Sequence, residues 1–357
     1  MDMLTMMGAA PAADAARPPF DSLTLALLDT WQRGFPLVPR PFAEIGEAFG
    51  LEEPEVIARL AAAQSSGVIG RIGAVVQPNT VTASTLAALS VPRERLEEVA
   101  AIVSAQPEVT HNYEREHALN LWFVVTAADR DHLRAVLERI RERTGLEPLD
   151  LRLVRGFHID LGFALPGATP GERLRKHLPH NAGDMPAAPV RADAFDRRLL
   201  AAIEDGLPLL PRPYLAVAGR LDTAEETVID RLQRLIEAGV IRRFGIVIRH
   251  RRLGFRANAM VVWNVPDELV TRAGALLARE PGVTLCYERT RRPPRWPYNL
   301  FCMIHGRERP AVEARIAELA ALLKDELGRD IPHVPLFSRR CFKQTGARFS
   351  TSGRGGA

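Results

Sequence analysis

The stretch Val109-Thr-His-Asn-Tyr-Glu-Arg115 carries residue types suited to proton transfer and anion binding. On a strand, alternate residues share a face. His111, Tyr113 and Arg115 are therefore expected on one side, with Asn112 and Glu114 on the other. An imidazole titrates near neutrality and can protonate a reacting carbon. A phenol and a fixed guanidinium beside it suit a carboxylated substrate. The stretch recurs as Val283-Thr-Leu-Cys-Tyr-Glu-Arg289, with Leu285 in the place of His111, so Tyr287 and Arg289 repeat the row without its imidazole. Both copies run on to Asn-Leu-aromatic, at Asn120 and at Asn299. The competing reading of such a row is a half-buried sheet face with satisfied hydrogen bonds.

Further candidates cluster after these strands. His117 falls where the second copy inserts Thr290-Arg-Arg-Pro-Pro-Arg-Trp-Pro297. Arg292, Arg295 and Trp296 in that stiff loop would make a lid that stacks on a flat ligand and pairs its carboxylates; a surface turn is the alternative. His305 ends the strand expected over 299–305, opposite Thr126 in the first copy. It is a candidate iron ligand or proton donor, or else a surface histidine. Each half closes on a basic-aromatic pattern, Arg155-Gly-Phe-His158 and Arg340-Cys-Phe-Lys343. Arg155, His158, Arg340 and Lys343 are thus candidate carboxylate clamps, with solvated charge as the alternative. Gly67-x-x-Gly70-x-x-Gly73 has neither the dinucleotide nor the nucleotide-phosphate spacing. Nucleophile-elbow, H-E-x-x-H and metal-ligand patterns are missing from the sequence, so hydrolase and zinc-enzyme readings have no support.

The elements that must hold these residues follow from the local patterns. A short helix from Asp21 is broken by Gly34-Phe-Pro-Leu-Val-Pro-Arg-Pro41. A helix over 42–49, a turn at Gly50 and a helix from Pro54 follow, and Gly67–Val76 reads as a hairpin-like wing. Together these make a winged helix-turn-helix. Next come a strand at 86–91, a helix at 93–105, strands at 110–115 and 120–126, a helix at 129–144 and a strand at 149–154. That order is the ferredoxin-like βαββαβ motif, whose helices cover one sheet face and leave the other open for binding. Gly206–Pro213 repeats Gly34–Pro41, and Gly239–Gly245 repeats Gly67–Gly73 at the same offset. The fold class is therefore α+β: a tandem duplication of a winged helix and a ferredoxin-like (RAM-like) domain, related by a pseudo-twofold. The expected boundaries are a disordered leader 1–20, winged helices 21–84 and 193–256, ferredoxin-like domains 85–163 and 257–349, a Pro/Gly/Ala-rich linker 164–192 and a tail 350–357.

The 357 residues allow several domains and a sizeable core, and 46% hydrophobic with 25% charged is ordinary globular composition. Net charge is +4 and nearly all cations are arginine, which suits an anionic partner. The three cysteines form no C-x-x-C pair, which argues against zinc and disulfide frameworks and fits a reducing cytoplasm. The N-terminus lacks the order of a signal peptide, and no apolar run is long enough to span a membrane. DNA binding needs cations at phosphates, yet 42–64 holds Glu44, Glu47, Glu52, Glu53 and Glu55 against Arg59 alone. Acids also crowd the start of the equivalent helix in the second copy, at Glu225 and Glu226. DNA is therefore not the expected partner.

Winged helix plus ferredoxin-like domain resembles the Lrp/AsnC superfamily, which includes DNA-binding transcription regulators. The finer motifs resemble the siroheme decarboxylases in their fused D- and L-type form. These motifs are Gly-x-Pro-Leu-x-Pro-Arg-Pro in both halves, His111-Asn-Tyr-Glu-Arg115, Trp296-Pro-Tyr-Asn-Leu-Phe-Cys-Met-Ile-His-Gly306 and the two closing strands, spanning about 21–349. The resemblance implies removal of two acetate carboxyls from siroheme, giving didecarboxysiroheme on the way to d-type haem. It implies no redox cofactor and no metal of the protein's own; iron arrives within the substrate, with His111 a possible axial contact. The implied partners are the anionic tetrapyrrole and, beyond it, further decarboxylase subunits or a second copy of the chain. A transcription regulator is the rival reading.

Overall fold

The computed structural model describes residues 20–159, 162, 165, 192–346 and 349. The leader expected over 1–20 (apart from Phe20), most of the linker expected over 164–192 and the tail expected over 350–357 lie outside the described residues.

The first half runs α1 (Ser22–Thr30), α2 (Pro41–Phe49), α3 (Glu53–Ser65), β1 (Ile69–Val76), β2 (Ala83–Leu89), α4 (Leu96–Ser104), β3 (Val109–Arg115), β4 (Leu121–Ala127), α5 (Arg130–Thr144) and β5 (Leu149–Ile159). The second runs α6 (Ala194–Ala202), α7 (Pro213–Leu221), α8 (Glu225–Glu237), β6 (Ile241–Ile248), β7 (Ala257–Trp263), α9 (Val270–Arg279), β8 (Val283–Arg289), β9 (Leu300–Gly306), α10 (Arg309–Leu327) and β10 (His333–Gln344). Local chemistry explains the starts. Asp21 caps α1 by accepting from the Thr24 amide at 2.7 Å, and Asp193 caps α6 in a reciprocal capping box with Asp196. Pro41 and Pro213 sit at the first turn of α2 and α7, where no amide donor is needed.

The arginine of each Pro-Arg-Pro motif has a structural role. Arg40 pairs with Glu53 and Arg212 with Glu225, the opening acids of α3 and α8. The Glu225 side chain is 2% exposed, so the acids that opposed a DNA reading include buried members of ion pairs within the fold.

The wing differs from expectation. Gly67–Val76 is not a hairpin; β1 runs straight through and pairs antiparallel with β6 of the other half, Gly73 opposite Gly245. A hairpin would need its turn inside the segment, but only Gly67, at its start, has a positive φ. The amide of Gln77 donates to the Val240 carbonyl and that of Arg249 to the Val68 carbonyl, both at 2.8 Å, so the ribbon itself obeys the pseudo-twofold.

The remaining eight strands close into one barrel, in the order β10-β3-β4-β2-β5-β8-β9-β7. The seams between halves are β5–β8 and β10–β3. Helices cover the outer faces: α4 and α5 pack over the first sheet, α9 and α10 over the second. The inner faces do not stay open as expected but turn towards each other, filling one end of the barrel with Trp122, Trp296, Phe301, Leu151 and Leu336. Two strand ends also differ. β5 continues to Ile159 because register shifts at 153–155 and 156–158 bend it onto β8. β2 stops at Leu89 because the Asn120 side chain takes over both polar groups of the Val91 backbone.

Candidate active site

At the end of the barrel facing the β1–β6 ribbon lies a cavity of about 510 Å³. His111, Tyr113 and Arg115 line one wall; Leu285, Tyr287 and Arg289 line its pseudo-symmetric counterpart. The period-2 alternation of β3 does this: Asn112 turns the other way and donates to the Ala100 carbonyl at 3.1 Å and to Ser104 Oγ at 3.0 Å beneath α4. The two arginines are scaffold as well as charge. Arg115 Nη1 donates to the Leu336 carbonyl at 2.8 Å and Arg289 Nη1 to the Leu151 carbonyl at 2.7 Å, each across a seam, while Nε of each is buried without an acceptor among the described residues. Each guanidinium also lies over a tyrosine ring, Arg115 over Tyr113 at 5.6 Å and Arg289 over Tyr287 at 4.6 Å.

The cavity holds two imidazoles from different strands. His111 Nδ1 lies 3.0 Å from Thr110 Oγ1. Burial, with the Arg71 cation nearby, pushes its pKa down to about 4, so these surroundings favour the neutral ring at neutral pH. His305, on β9, lies with Nδ1 2.8 Å from Asn258 Oδ1. The Asn258 amide nitrogen donates to the Phe255 carbonyl at 3.0 Å, so its oxygen faces the ring and Nδ1 of His305 carries the hydrogen. Nε2 is then the nitrogen that exchanges a proton. Burial lowers Arg115 to about 10 and raises Tyr113, so the guanidinium stays charged and the phenol neutral at neutral pH. Apolar side chains, among them Leu86, Val124, Met260 and Met303, complete the surface.

Of the residues singled out by sequence, the structure brings His111, Tyr113, Arg115, Tyr287, Arg289 and His305 together and places the others elsewhere. His117 and Trp296 lie at the closed end of the barrel, their rings 5.6 Å apart, with Trp296 1% exposed against Trp122. The Thr290–Pro297 loop is therefore no lid: its tryptophan is core, Arg292 lies 3.8 Å from Asp150, and Arg295 donates to the Glu147 carbonyl at 3.3 Å. Asn120, half-buried, and Asn299, buried, are brackets that bond the backbone of Val91 and of Val265. The expected clamps are taken by neighbouring strands: Arg155 pairs with Glu288 at 2.8 Å, and Arg340 with Glu114 at 2.6 Å and with Glu97. Lys343 donates to the Ser104 and Gln106 carbonyls at 2.9 Å, and His158 is half-buried outside the cavity lining.

Sequence reasoning missed Arg71, Arg249, Arg251 and Asn258, all in the cavity lining. A signal existed for two of them. Arg249-His-Arg-Arg252 follows β6 where Gln77-Pro-Asn-Thr80 follows β1, a charge difference between copies as marked as His111 against Leu285.

A family profile described as the siroheme decarboxylase NirDL-like HTH domain matches 25–69 and 196–242, and one described as the AsnC-like ligand binding domain matches 81–158 and 252–343. The siroheme decarboxylase NirDL subunit of Paracoccus denitrificans is 47% identical over 92% of this chain and 97% of its own length. The crystal structure of a siroheme decarboxylase NirDL superposes with a TM-score of 0.66 at 29% identity, covering 92% of this chain and 94% of that one. A second, in complex with an iron-uroporphyrin III analogue, gives 0.64 at 30% identity, covering 92% and 95%. With the duplicated helix-turn-helix domains, the closed barrel and the cavity between its two halves, these matches mean that the chain belongs to the siroheme decarboxylase family.

Proposed function

We propose that this chain removes two acetate carboxyls from siroheme in the cavity between its halves, giving didecarboxysiroheme on the route to d-type haem. The observation that carries the reading is the pair of imidazoles, His111 and His305, set among arginines over an apolar floor. Arginine side chains hold the carboxylates that stay. An acetate directed at the apolar surface near Leu285 and Met303 loses solvation of the charge that carbon dioxide removes. The bond between the methylene and the carboxyl carbon breaks, carbon dioxide leaves, and the electron pair passes into the macrocycle. An imidazolium then delivers a proton to the methylene, which becomes methyl, and the ring recovers its proton from water. Electrons stay within the substrate, so the step as drawn calls on no cofactor of the protein's own.

His111 is the donor for one acetate, oriented by Thr110, with Tyr113 and Arg115 positioning the substrate; His305, fixed by Asn258, serves the other. Substrate carboxylates beside His111 favour its charged form and so make it an acid. Both walls come from one chain, so neither a second copy nor a separate subunit is needed to complete the site. No helix among the described residues is long and apolar enough to cross a membrane. The unpaired thiols of Cys286 and Cys302, register partners on β8 and β9, support a reducing cytoplasm as the site of reaction. Anaerobic incubation with siroheme followed by mass spectrometry tests the activity. Loss of two carbon dioxide units is expected, and of only one when His111→Ala is used although the tetrapyrrole still binds. Unchanged siroheme with the wild type, or full turnover by the variant, overturns the reading or its donor respectively.

A further inference from the structure

The cavity lies on the pseudo-twofold, and its symmetric residues do not distinguish two orientations of a flat ligand. Tyr113 repeats Tyr287 and Arg115 repeats Arg289, seam for seam. Orientation must come from residues that differ between the halves. The strongest such difference in charge is the loop after the ribbon, where Arg249 and Arg251 line the cavity while the first half offers Gln77 and Pro78. The structure makes room for this loop. Arg249 lies against Gly70, 3.5 Å from where a Cβ would stand, and the other half carries Arg242 at that place.

Arg251 lines the same cavity as the first-half residues Tyr113 and Arg115. Its charge is felt by Tyr113, Arg115 and Cys341, and its Nη2 is buried with no acceptor among the described residues. Arg115 presents a second such donor, its buried Nε. Two guanidinium groups whose charges repel, each with a buried N–H that has no acceptor among the described residues, suit one carboxylate. The opposite wall has a single counterpart, Arg289, because Asn79 stands where the second half has Arg251. Two acids, Glu204 and Asp205, also line the cavity; the charge of Asp205 acts on Arg71, and Glu204 accepts the Phe349 amide at 2.8 Å.

We infer that Arg251, together with Arg115, holds a carboxylate that is not lost, beside His111, and thereby fixes which edge of the macrocycle meets that imidazole. The inference rests on the siroheme reading above, and makes Arg251 a specificity determinant of that site. Arg251→Asn copies the residue of the first half. It removes a side chain whose Nη2 has no acceptor among the described residues, and Arg251→Gln serves as a second variant should the first fail to fold. Iron uroporphyrin, which carries the carboxylates, probes binding. Removing one charge-assisted hydrogen bond to a carboxylate should weaken it about tenfold to a hundredfold. With siroheme, the reaction is stopped after the first carbon dioxide has left and the intermediate analysed by NMR. Wild type should give one positional isomer and the variants a mixture. A single isomer from a folded variant, or unchanged affinity for iron uroporphyrin, overturns the inference. A wild type that binds iron uroporphyrin but leaves siroheme intact would instead sink the catalytic reading, with the anchoring role still judged by the affinity.

Discussion

Substrate binding is expected to carry a proton into the site. In the unliganded cavity the His111 imidazole is held down to about 4 by burial and then by Arg71. At pH 7 only about one molecule in a thousand then carries the acid that the reaction needs. Carboxylates entering beside the ring offset Arg71 and favour the imidazolium. For half of the rings to be charged at pH 7 the value must rise from about 4 by about 3 units, or about 4 kcal/mol at 1.36 kcal/mol per unit, supplied by interaction with substrate. Linkage fixes the sign: affinity tightens about tenfold per unit as pH falls from the bound-state value toward 4, and levels off below it, where the free ring is already charged. Calorimetric titration with iron uroporphyrin at about pH 5.5, between the free and bound values, in buffers of different ionisation enthalpy, counts the protons. Wild type should take up close to one more than His111→Asn. Equal uptake by the two proteins, or no pH dependence attributable to His111, would refute the argument.

Stability should show the same imidazole with the opposite consequence. Its folded value, about 4, lies below the ordinary 6.5, so the unfolded chain binds more protons between them and stability falls as pH drops through that window, by at most about 3 kcal/mol. Urea unfolding should show His111→Asn losing less over the same interval. Asp21, held to about 2 mainly by its bond from Arg59, and Asp193, held there mainly by the Asp196 amide and then Arg231, act only below their ordinary 3.8. The facing ribbon glycines should respond unequally. A Cβ at residue 245 would run into the backbone carbonyls of Gln32 and Trp31, whereas at residue 73 the nearest atom is the Ile203 carbonyl oxygen at 3.5 Å. Gly245→Ala should cost about 2–3 kcal/mol or more and Gly73→Ala under about 1, as read by thermal or urea unfolding. Arg212→Ala should strand the buried Glu225 carboxylate. A loss of about 2 kcal/mol is expected, between the surface and fully buried cases because Arg212 is itself half-exposed, and Glu225→Gln in the same background should restore part of it.

Helix starts, the duplicated order of elements and the His-Tyr-Arg row were legible because each rests on a local rule: capping chemistry, hydrophobic period, alternation along a strand. The clamps were not. Arg155 and Arg340 look like unclaimed cations until the seams bring Glu288 and Glu114 alongside, and those pairings join strands more than a hundred residues apart. Position along a strand misled in a second way. His117 and Trp296 follow closely on the β3 and β8 rows, yet a few residues carry the chain from the open end of the barrel to the closed one. The β1–β6 pairing was hidden because an isolated segment rich in glycine and valine does not say whether its partner is itself or its copy.

The shared cavity has an evolutionary corollary. Duplication ordinarily provides a spare, so that one copy can drift while the other keeps working. Here both copies wall a single chamber, and damage to either wall has no backup. In a homodimer every substitution in the chamber would appear twice, once on each side: an imidazole at 111 would bring its twin at 285, and Arg251 a twin at 79. Joining the halves in one chain lets each wall mutate alone. His111 against Leu285, His305 against Thr126 and Arg251 against Asn79 are the marks of that freedom, and they give an asymmetric substrate an asymmetric chamber built from a nearly symmetric frame.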